Sequence, residues 1–385
     1  MNKKIIFGAS SHWTNFLQNG ANHYAKEFAR HGYQVAFVSR MISPFHWFAR
    51  DDKSVFDEKK RIWRKGGESI RNENVWHYTP FTFLPFYNKP ILRTRWVLEN
   101  SHRLTFPSIN GVLEKNNFKE VEIVWIDNVS QAYLLDLVGH KKSVFRIADD
   151  YYAEPESFRE KERELIQRVD LTIVPSQLIK LKFKETGGNK ILYLPHGVNF
   201  EHFYYGSDEL PEEYRDISSP RVIYVGAIAG FFDAELIEFA ARRLTEVSFI
   251  LIGRPKSYVD IARIARLANV HLLGARDYEV LPRYLKNADL GIVPFKRTRY
   301  TDPLIPIKLY EYMACGLPVV SMKFKEFNYV ETLAYLAESH EDFVNSIKIA
   351  LNEKDRRKYT EFAEANTWEK RYEKMIKELY ADEMN

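Results

Sequence analysis

Tyr300-Thr301-Asp302-Pro303-Leu304-Ile305-Pro306-Ile307-Lys308-Leu309-Tyr310-Glu311-Tyr312-Met313-Ala314-Cys315-Gly316-Leu317-Pro318-Val319-Val320 reads as a proline-marked loop, a short helix, a Gly-Leu-Pro stop and a β-branched strand. The first N–H groups of a helix have no intrahelical partner, and the helix dipole is positive there, so such a start attracts anions. Lys308 adds a cation at that end, and Glu311, one turn on, supplies two acceptor oxygens on a neighbouring part of the same face. A phosphate clamp beside a hydroxyl acceptor matches a nucleotide-diphosphate sugar.

Outward from this stretch the pattern of strand, turn and helix repeats. Before it come candidate strands at Arg221–Gly226, Ser248–Ile252, Val270–Leu273 and Leu290–Pro294, with helical patterns at Asp233–Leu244, Val259–Leu267 and Glu279–Lys286 between them. Earlier still, Ile5-Ile6-Phe7-Gly8, a polar turn, a helix around Ala21–Arg30, the stop His31-Gly32 and a strand at Gln34–Ser39 make a βαβ unit. Further short apolar runs at Glu122–Asp127, Ser143–Ala148, Leu171–Ser176 and Ile191–Leu194 extend that sheet. The expected fold class is α/β: two Rossmann-like, doubly wound domains facing a cleft. The first is expected over 1–203 and the second over 221–365, joined by the acidic, proline-bearing segment 204–220 as linker. A helix over 366–385 is expected to pack back across the seam.

Composition narrows the setting. A chain of 385 residues with 45% hydrophobic content is long enough for two cores. No apolar run is long enough to span a bilayer. The initial apolar run of about five residues is short of the roughly 7–15 that a secretion signal needs. The single Cys315 rules out an internal disulfide and a cysteine-rich zinc site. Together these features point to the cytoplasm. Between Arg40 and Thr105 thirteen Lys and Arg face seven Asp and Glu, so this window outweighs the whole-chain charge of +4. It also carries Trp47, Trp63, Trp76 and Trp96 of the seven tryptophans. Basic residues interleaved with amphipathic rings suit an anionic membrane surface or a phosphorylated acceptor; the plainer reading is a partly buried surface with solvated charges. No nucleic-acid motif accompanies the patch, and the eleven histidines show no metal-ligand spacing.

Taken in order, Tyr224-Val225-Gly226, Asn269-Val270-His271-Leu272-Leu273-Gly274, Asn287-Ala288-Asp289-Leu290-Gly291-Ile292-Val293-Pro294 and Pro306-Ile307-Lys308-Leu309-Tyr310-Glu311-Tyr312 resemble the GT-B glycosyltransferases. In the first half, Phe145-Arg146-Ile147-Ala148-Asp149-Asp150 and the first loop are similar to the branch holding the xanthan-type β-glucuronosyltransferase and the teichuronic-acid transferases. The resemblance implies a sugar, glucuronate among the options, moved from a nucleotide-diphosphate donor such as a UDP-sugar. It implies a lipid-linked or glycan acceptor in bacterial surface polysaccharide synthesis, at the inner face of the cell membrane. No cofactor and no metal ion is implied. Retaining members of the fold often carry two glutamates eight positions apart. Upstream of Glu311 that place is Pro303, with Asp302 one residue off, which favours inversion.

Inversion needs a base for the acceptor hydroxyl and stabilisation of the leaving diphosphate. Asp149 and Asp150, just after a strand, are the base candidates, and the resemblance favours Asp149; the structural alternative is a solvated turn pair. Donor-side candidates are Lys308 and Leu309 at the helix start, Glu311 for ribose hydroxyls, and Gly226 for close backbone approach to phosphate. Arg254 and Arg276 follow strands, and Ala275–Asp277 suit backbone contacts to the base. On the acceptor side stand His12, Trp13 and Asn15, although lone histidines and tryptophans are more often structural. His196-Gly197 reads as a hinge or packing element. The competing function is a GT-B-like sugar-nucleotide epimerase, which uses the same donor clamp without an acceptor. A non-catalytic nucleotide-sugar binder comes third. A dinucleotide oxidoreductase is disfavoured because no G-x-G-x-x-G follows a strand.

Overall fold

Parallel pairing of short strands with largely apolar centres organises both halves of the chain. The computed structural model describes residues 3–13, 19–47, 53–70, 73–87, 89–184, 186–187 and 190–383. They divide into two units. One holds 1–175, 179–194 and the segment from Tyr372 onward; the other holds 176–178 and 195–371.

The first unit contains β1 (Lys4–Ala9), β2 (Gln34–Ser39), β3 (Glu68–Ile70), β4 (Val75–Tyr78), β5 (Glu120–Ile126), β6 (Gly139–Arg146), β7 (Leu171–Val174) and β8 (Ile191–Tyr193). They form one sheet in the order β3-β4-β2-β1-β5-β6-β7-β8, parallel except where β3 runs against β4. Central strands covered on both faces read as continuous apolar runs, and Ile5, Ile6 and Phe7 of β1 are fully buried. Phe7 stacks on Phe37 and Trp125 at 6.1 and 5.1 Å. After β1 the helix Gly20–Arg30 is started by Asn19, whose side chain accepts from the N–H groups of Ala21 and Asn22.

Strands β3 and β4 are absent from the sequence reading. Val75-Trp76-His77-Tyr78 lies inside the basic aromatic window, yet all four side chains are buried, because β4 sits between β2 and β3. The chain end also belongs to this unit. Tyr372 meets Phe28 edge-on at 4.9 Å and stacks on His31 at 4.2 Å, while Asp382 and Glu383 pair with Lys190 and Lys142.

The second unit contains β9 (Arg221–Val225), β10 (Ser248–Ile252), β11 (Val270–Gly274), β12 (Leu290–Val293), β13 (Val319–Met322) and β14 (Tyr335–Ala337). Their order is β11-β10-β9-β12-β13-β14, all parallel. The chain leaves the first unit between Leu194 and Pro195, ahead of the segment 204–220 expected as linker. That segment is folded onto the second unit. Tyr214 within it is fully buried, with its ring 5.6 Å from Tyr284 and 5.0 Å from the Arg221 guanidinium. The helix expected over Val259–Leu267 reduces to a 3-10 turn at Ile264–Arg266, where only Ile264 is buried.

The Ile307–Ala314 helix lies on this sheet through Tyr312, which is fully buried and accepts the Val225 N–H on its hydroxyl at 2.8 Å. Gly291 of β12 makes room for that ring: a Cβ there would stand 2.3 Å from Tyr312 Cδ2. Gly291→Ala is therefore expected to cost about 1–3 kcal/mol through overpacking. At roughly 2–4 °C per kcal/mol, scanning calorimetry should show a clear fall in Tm. An unchanged Tm would mean that the ring can move without loss.

Candidate functional site

Each sheet delivers its functional candidates at the carboxyl ends of its strands. In the first unit, β5 pairs with β6 so that Ile126 stands opposite Phe145. The next residues along are Asp127 and Arg146. They form an ion pair at 2.6 Å with both side chains buried. The guanidinium fills space that only a glycine leaves at the start of the first helix: a Cβ on Gly20 would lie 2.2 Å from Arg146 Nη2.

Asp149, three residues past Arg146, is half-buried. Burial raises its carboxyl pKa to about 6, the neighbouring Arg146 opposes the rise, and Asp127 and Asp150 add to it. Asp150 itself is tied to Lys182 at 2.5 Å. Behind them the Glu162 side chain is buried, and burial pushes its carboxyl up to about 7 against the pull of Lys182. A carboxylate of pKa near 6 is ionised at neutral pH and still a usable proton acceptor. Asp149 has no ion-pair partner among the described residues, whereas Asp150 is held by Lys182.

In the second unit β9 is followed by Gly226, whose N–H bonds the Ile252 carbonyl at 2.9 Å. A Cβ on Gly226 would be 3.5 Å from Lys308 Cε, so the strand end and the helix start adjoin. Pro306 occupies the cap position of that helix and no side chain caps it, which leaves its first amides for an external acceptor. Lys308 Nζ meets Glu311 Oε2 at 2.9 Å, with the Lys308 side chain 18% and the Glu311 side chain 6% exposed. The ammonium is thus the more accessible partner, and the carboxylate lies beneath it. The Tyr278 hydroxyl stays protonated, its pKa raised by burial and then by Glu311.

Several sequence candidates occupy other roles. The Leu309 side chain is core, and its N–H bonds Pro306 O, so it offers a donor neither group. Arg276 spends its guanidinium on Glu213 at 2.7 Å and on the Tyr284 hydroxyl at 2.9 Å; it fastens the 204–220 segment instead of facing a ligand. Arg254 is exposed, with no ion pair among the described residues. His12 and Trp13 are buried. The His12 ring meets His77 at 5.6 Å, and its pKa falls to about 4 through burial, then His77 and Lys59. It is neutral at pH 7 and a poor base. Trp13 packs edge-on against Phe37 at 5.0 Å. Asn15 lies outside the described residues. Gly197 is a packing element, since a Cβ there would stand 2.6 Å from the Trp368 nitrogen.

Sequence reasoning missed the Asp127–Arg146 pair. Its signal was present: two neighbouring apolar strands each close on a charge, and parallel register sets those charges side by side. No group of three or more His, Cys, Asp or Glu among the described residues is arranged to hold a metal ion.

Removing one partner of a buried ion pair leaves the other charge uncompensated. Arg146→Met should cost about 3–5 kcal/mol in urea unfolding, and the double variant Asp127→Leu/Arg146→Met should recover most of that. A single variant as stable as the parent would show that the pair is not holding this strand edge.

Comparison with known proteins gives matches in both halves. Residues 8–175 match the model of the glucuronosyltransferase GumK N-terminal domain, and residues 219–353 match that of glycosyl transferases group 1. The Bacillus subtilis (strain 168) protein TuaH, named as a teichuronic acid biosynthesis glycosyltransferase, is 29% identical over 168 residues, 41% of this chain. The match spans only 42% of that relative's length. Among solved structures, a sucrose-phosphate synthase from Thermosynechococcus elongatus superposes with a TM-score of 0.71 at 16% identity, covering 99% of each chain. Anabaena HepE in complex with UDP and glucose gives 0.69 at 14% identity, over 98% of this chain and 100% of that one.

Proposed function

Taking as premise that the chain is a GT-B-fold glycosyltransferase, we propose that it moves a sugar from a UDP-sugar donor to a lipid-linked or glycan acceptor. The setting is bacterial surface polysaccharide synthesis, and glucuronate is the first donor sugar to test. The observation that carries this reading is Asp149, a half-buried carboxyl at a strand end with its pKa raised to about 6. It takes the proton from the acceptor hydroxyl as that oxygen attacks the anomeric carbon. The bond from that carbon to the diphosphate breaks, and the configuration inverts. Lys308 and the uncapped amides of its helix neutralise the departing diphosphate, a task that some transferases give to a metal ion. Glu311 anchors Lys308 and is placed to accept from ribose hydroxyls once the ammonium turns to phosphate.

Asp149→Asn is expected to lower kcat by about 10²–10⁴-fold with donor affinity near normal, whereas Lys308→Ala should weaken UDP binding and slow transfer together. In the parent, kcat/KM should rise with pH through about 6, because Asp149 must lose its proton to act. Radiolabelled UDP-sugars incubated with a lipid extract provide the assay. Undiminished turnover in the Asp149→Asn variant would remove this assignment.

The acceptor half of the proposal rests on the surface of residues 45–106. Phe45, Phe83, Tyr87, Ile91, Trp96, Leu104 and Phe106 are all exposed, while Lys89, Arg93 and Arg103 carry no ion pair among the described residues. Large exposed apolar patches mark contact surfaces, and the free cations favour an anionic lipid headgroup layer. No described helix is long and apolar enough to cross a membrane, so docking would be peripheral. Trp63 is a brace: its ring stacks on Phe81 at 4.7 Å and its N–H donates to the Phe106 carbonyl. The informative variant is therefore Trp96→Ser/Phe106→Ser, which should abolish flotation with phosphatidylglycerol liposomes. Equal flotation of parent and variant would exclude the lipid surface.

A further inference from the structure

In the second unit β9 lies between β10 and β12: the chain steps outward from β9 to β10 and β11, then crosses back to β12 on the other side. Such a switch point opens a crevice at the carboxyl ends of the strands. The loops after β9, β10 and β12 enclose a cavity of about 190 Å³ there, lined by Ala229, Phe232, Glu235, Tyr258, Asp260 and Lys296 among others. None of these residues is among the donor-side candidates Gly226, Lys308 and Glu311.

The chemistry of the walls is specific. Phe232 and Ile264 are buried and, with Ala229, give an apolar floor. Tyr258 stands at the rim with 71% of its surface exposed, presenting a flat ring with a polar tip. Glu238 is neutralised by Arg242 at 2.9 Å and by Arg263 at 3.1 Å. Glu235, Asp260 and Lys296 have no ion-pair partner among the described residues, and Asp260 accepts the Ala262 N–H at 3.0 Å. The guanidinium in excess at Glu238 and the Lys296 ammonium together balance Glu235 and Asp260, so the walls carry no net charge and suit a neutral polyol. Carboxylates accept from vicinal hydroxyls and the ammonium donates to a third.

We propose that this cavity is a sugar-binding subsite for one pyranose ring, which lays its C–H face on Tyr258 and its hydroxyls toward Glu235, Asp260 and Lys296. The inference rests on the transferase reading for its biological sense but not for its chemistry. The ring belongs either to the donor or to an acceptor glycan, and the two sources are separable.

Saturation-transfer NMR on the full chain tests this with methyl glycosides of glucose, N-acetylglucosamine and glucuronic acid, alongside UDP and UDP-glucose. At least one glycoside should show saturated ring protons with the parent, and the signal should fall by about fivefold or more in Tyr258→Ala and in Glu235→Gln. The UDP signal should be unchanged in both variants. Loss of the hexose signal of UDP-glucose in the same variants identifies the donor sugar as occupant; its persistence identifies an acceptor glycan. No signal from any glycoside with the parent, or signals equal in parent and both variants, would overturn the subsite. Glycoside binding without UDP binding would sink the donor reading and leave this inference standing.

Discussion

Parallel strands deliver their carboxyl ends to one edge of a sheet, and in both units of this chain the candidate site residues gather at that edge. The constraint is geometric. Strands that all run the same way need crossover connections on their faces, so the faces are covered and the edge is left for function. Asp127 follows β5, Arg146 closes β6 and Asp149 comes just after it; Gly226, Gly253 and Lys296 follow β9, β10 and β12. The helix carrying Lys308 and Glu311 opens at the same edge of the second sheet, held through the bond from Val225 N–H to the Tyr312 hydroxyl.

Buried charge does the tuning within this frame. The Asp127–Arg146 pair places two opposite charges in a low-dielectric strand end, where either alone would be costly. Asp149 is close enough to feel both, yet burial governs, and its carboxyl titrates near 6 instead of in the ordinary range for aspartate. Asp150, one residue along, is matched with Lys182. Two adjacent carboxylates thus acquire different characters from their surroundings alone. In the second unit Lys308 and Glu311 are matched to each other, and an incoming diphosphate would compete for the ammonium.

The surface of residues 45–106 shows how one composition serves two ends. Trp76 packs on Tyr78 and Phe118 at 5.7 and 5.6 Å inside the unit, and Trp63 braces a loop. Trp96 and Phe106, from the same window, are largely exposed. A window average cannot separate these rings. Trp76 lies on β4, a four-residue buried strand too short to announce itself among so many aromatics.

The alternation of apolar runs, helical patterns and glycine stops determined the α/β class, most strand positions and the start of the Lys308 helix, because local periodicity follows directly from side-chain order. The same stretch brought forward Lys308 and Glu311 as candidates, and the family resemblance brought forward Asp149. What a linear reading could not reach was which neighbour each charged group meets. Arg276, a candidate ligand by position, is consumed by Glu213, sixty-three residues away in sequence. The acidic stretch 204–220, a linker by composition, is anchored by Tyr214, and His12 is silenced by burial against His77. Those outcomes depend on desolvation and on pairings between distant segments, and only the packed tertiary structure decides them.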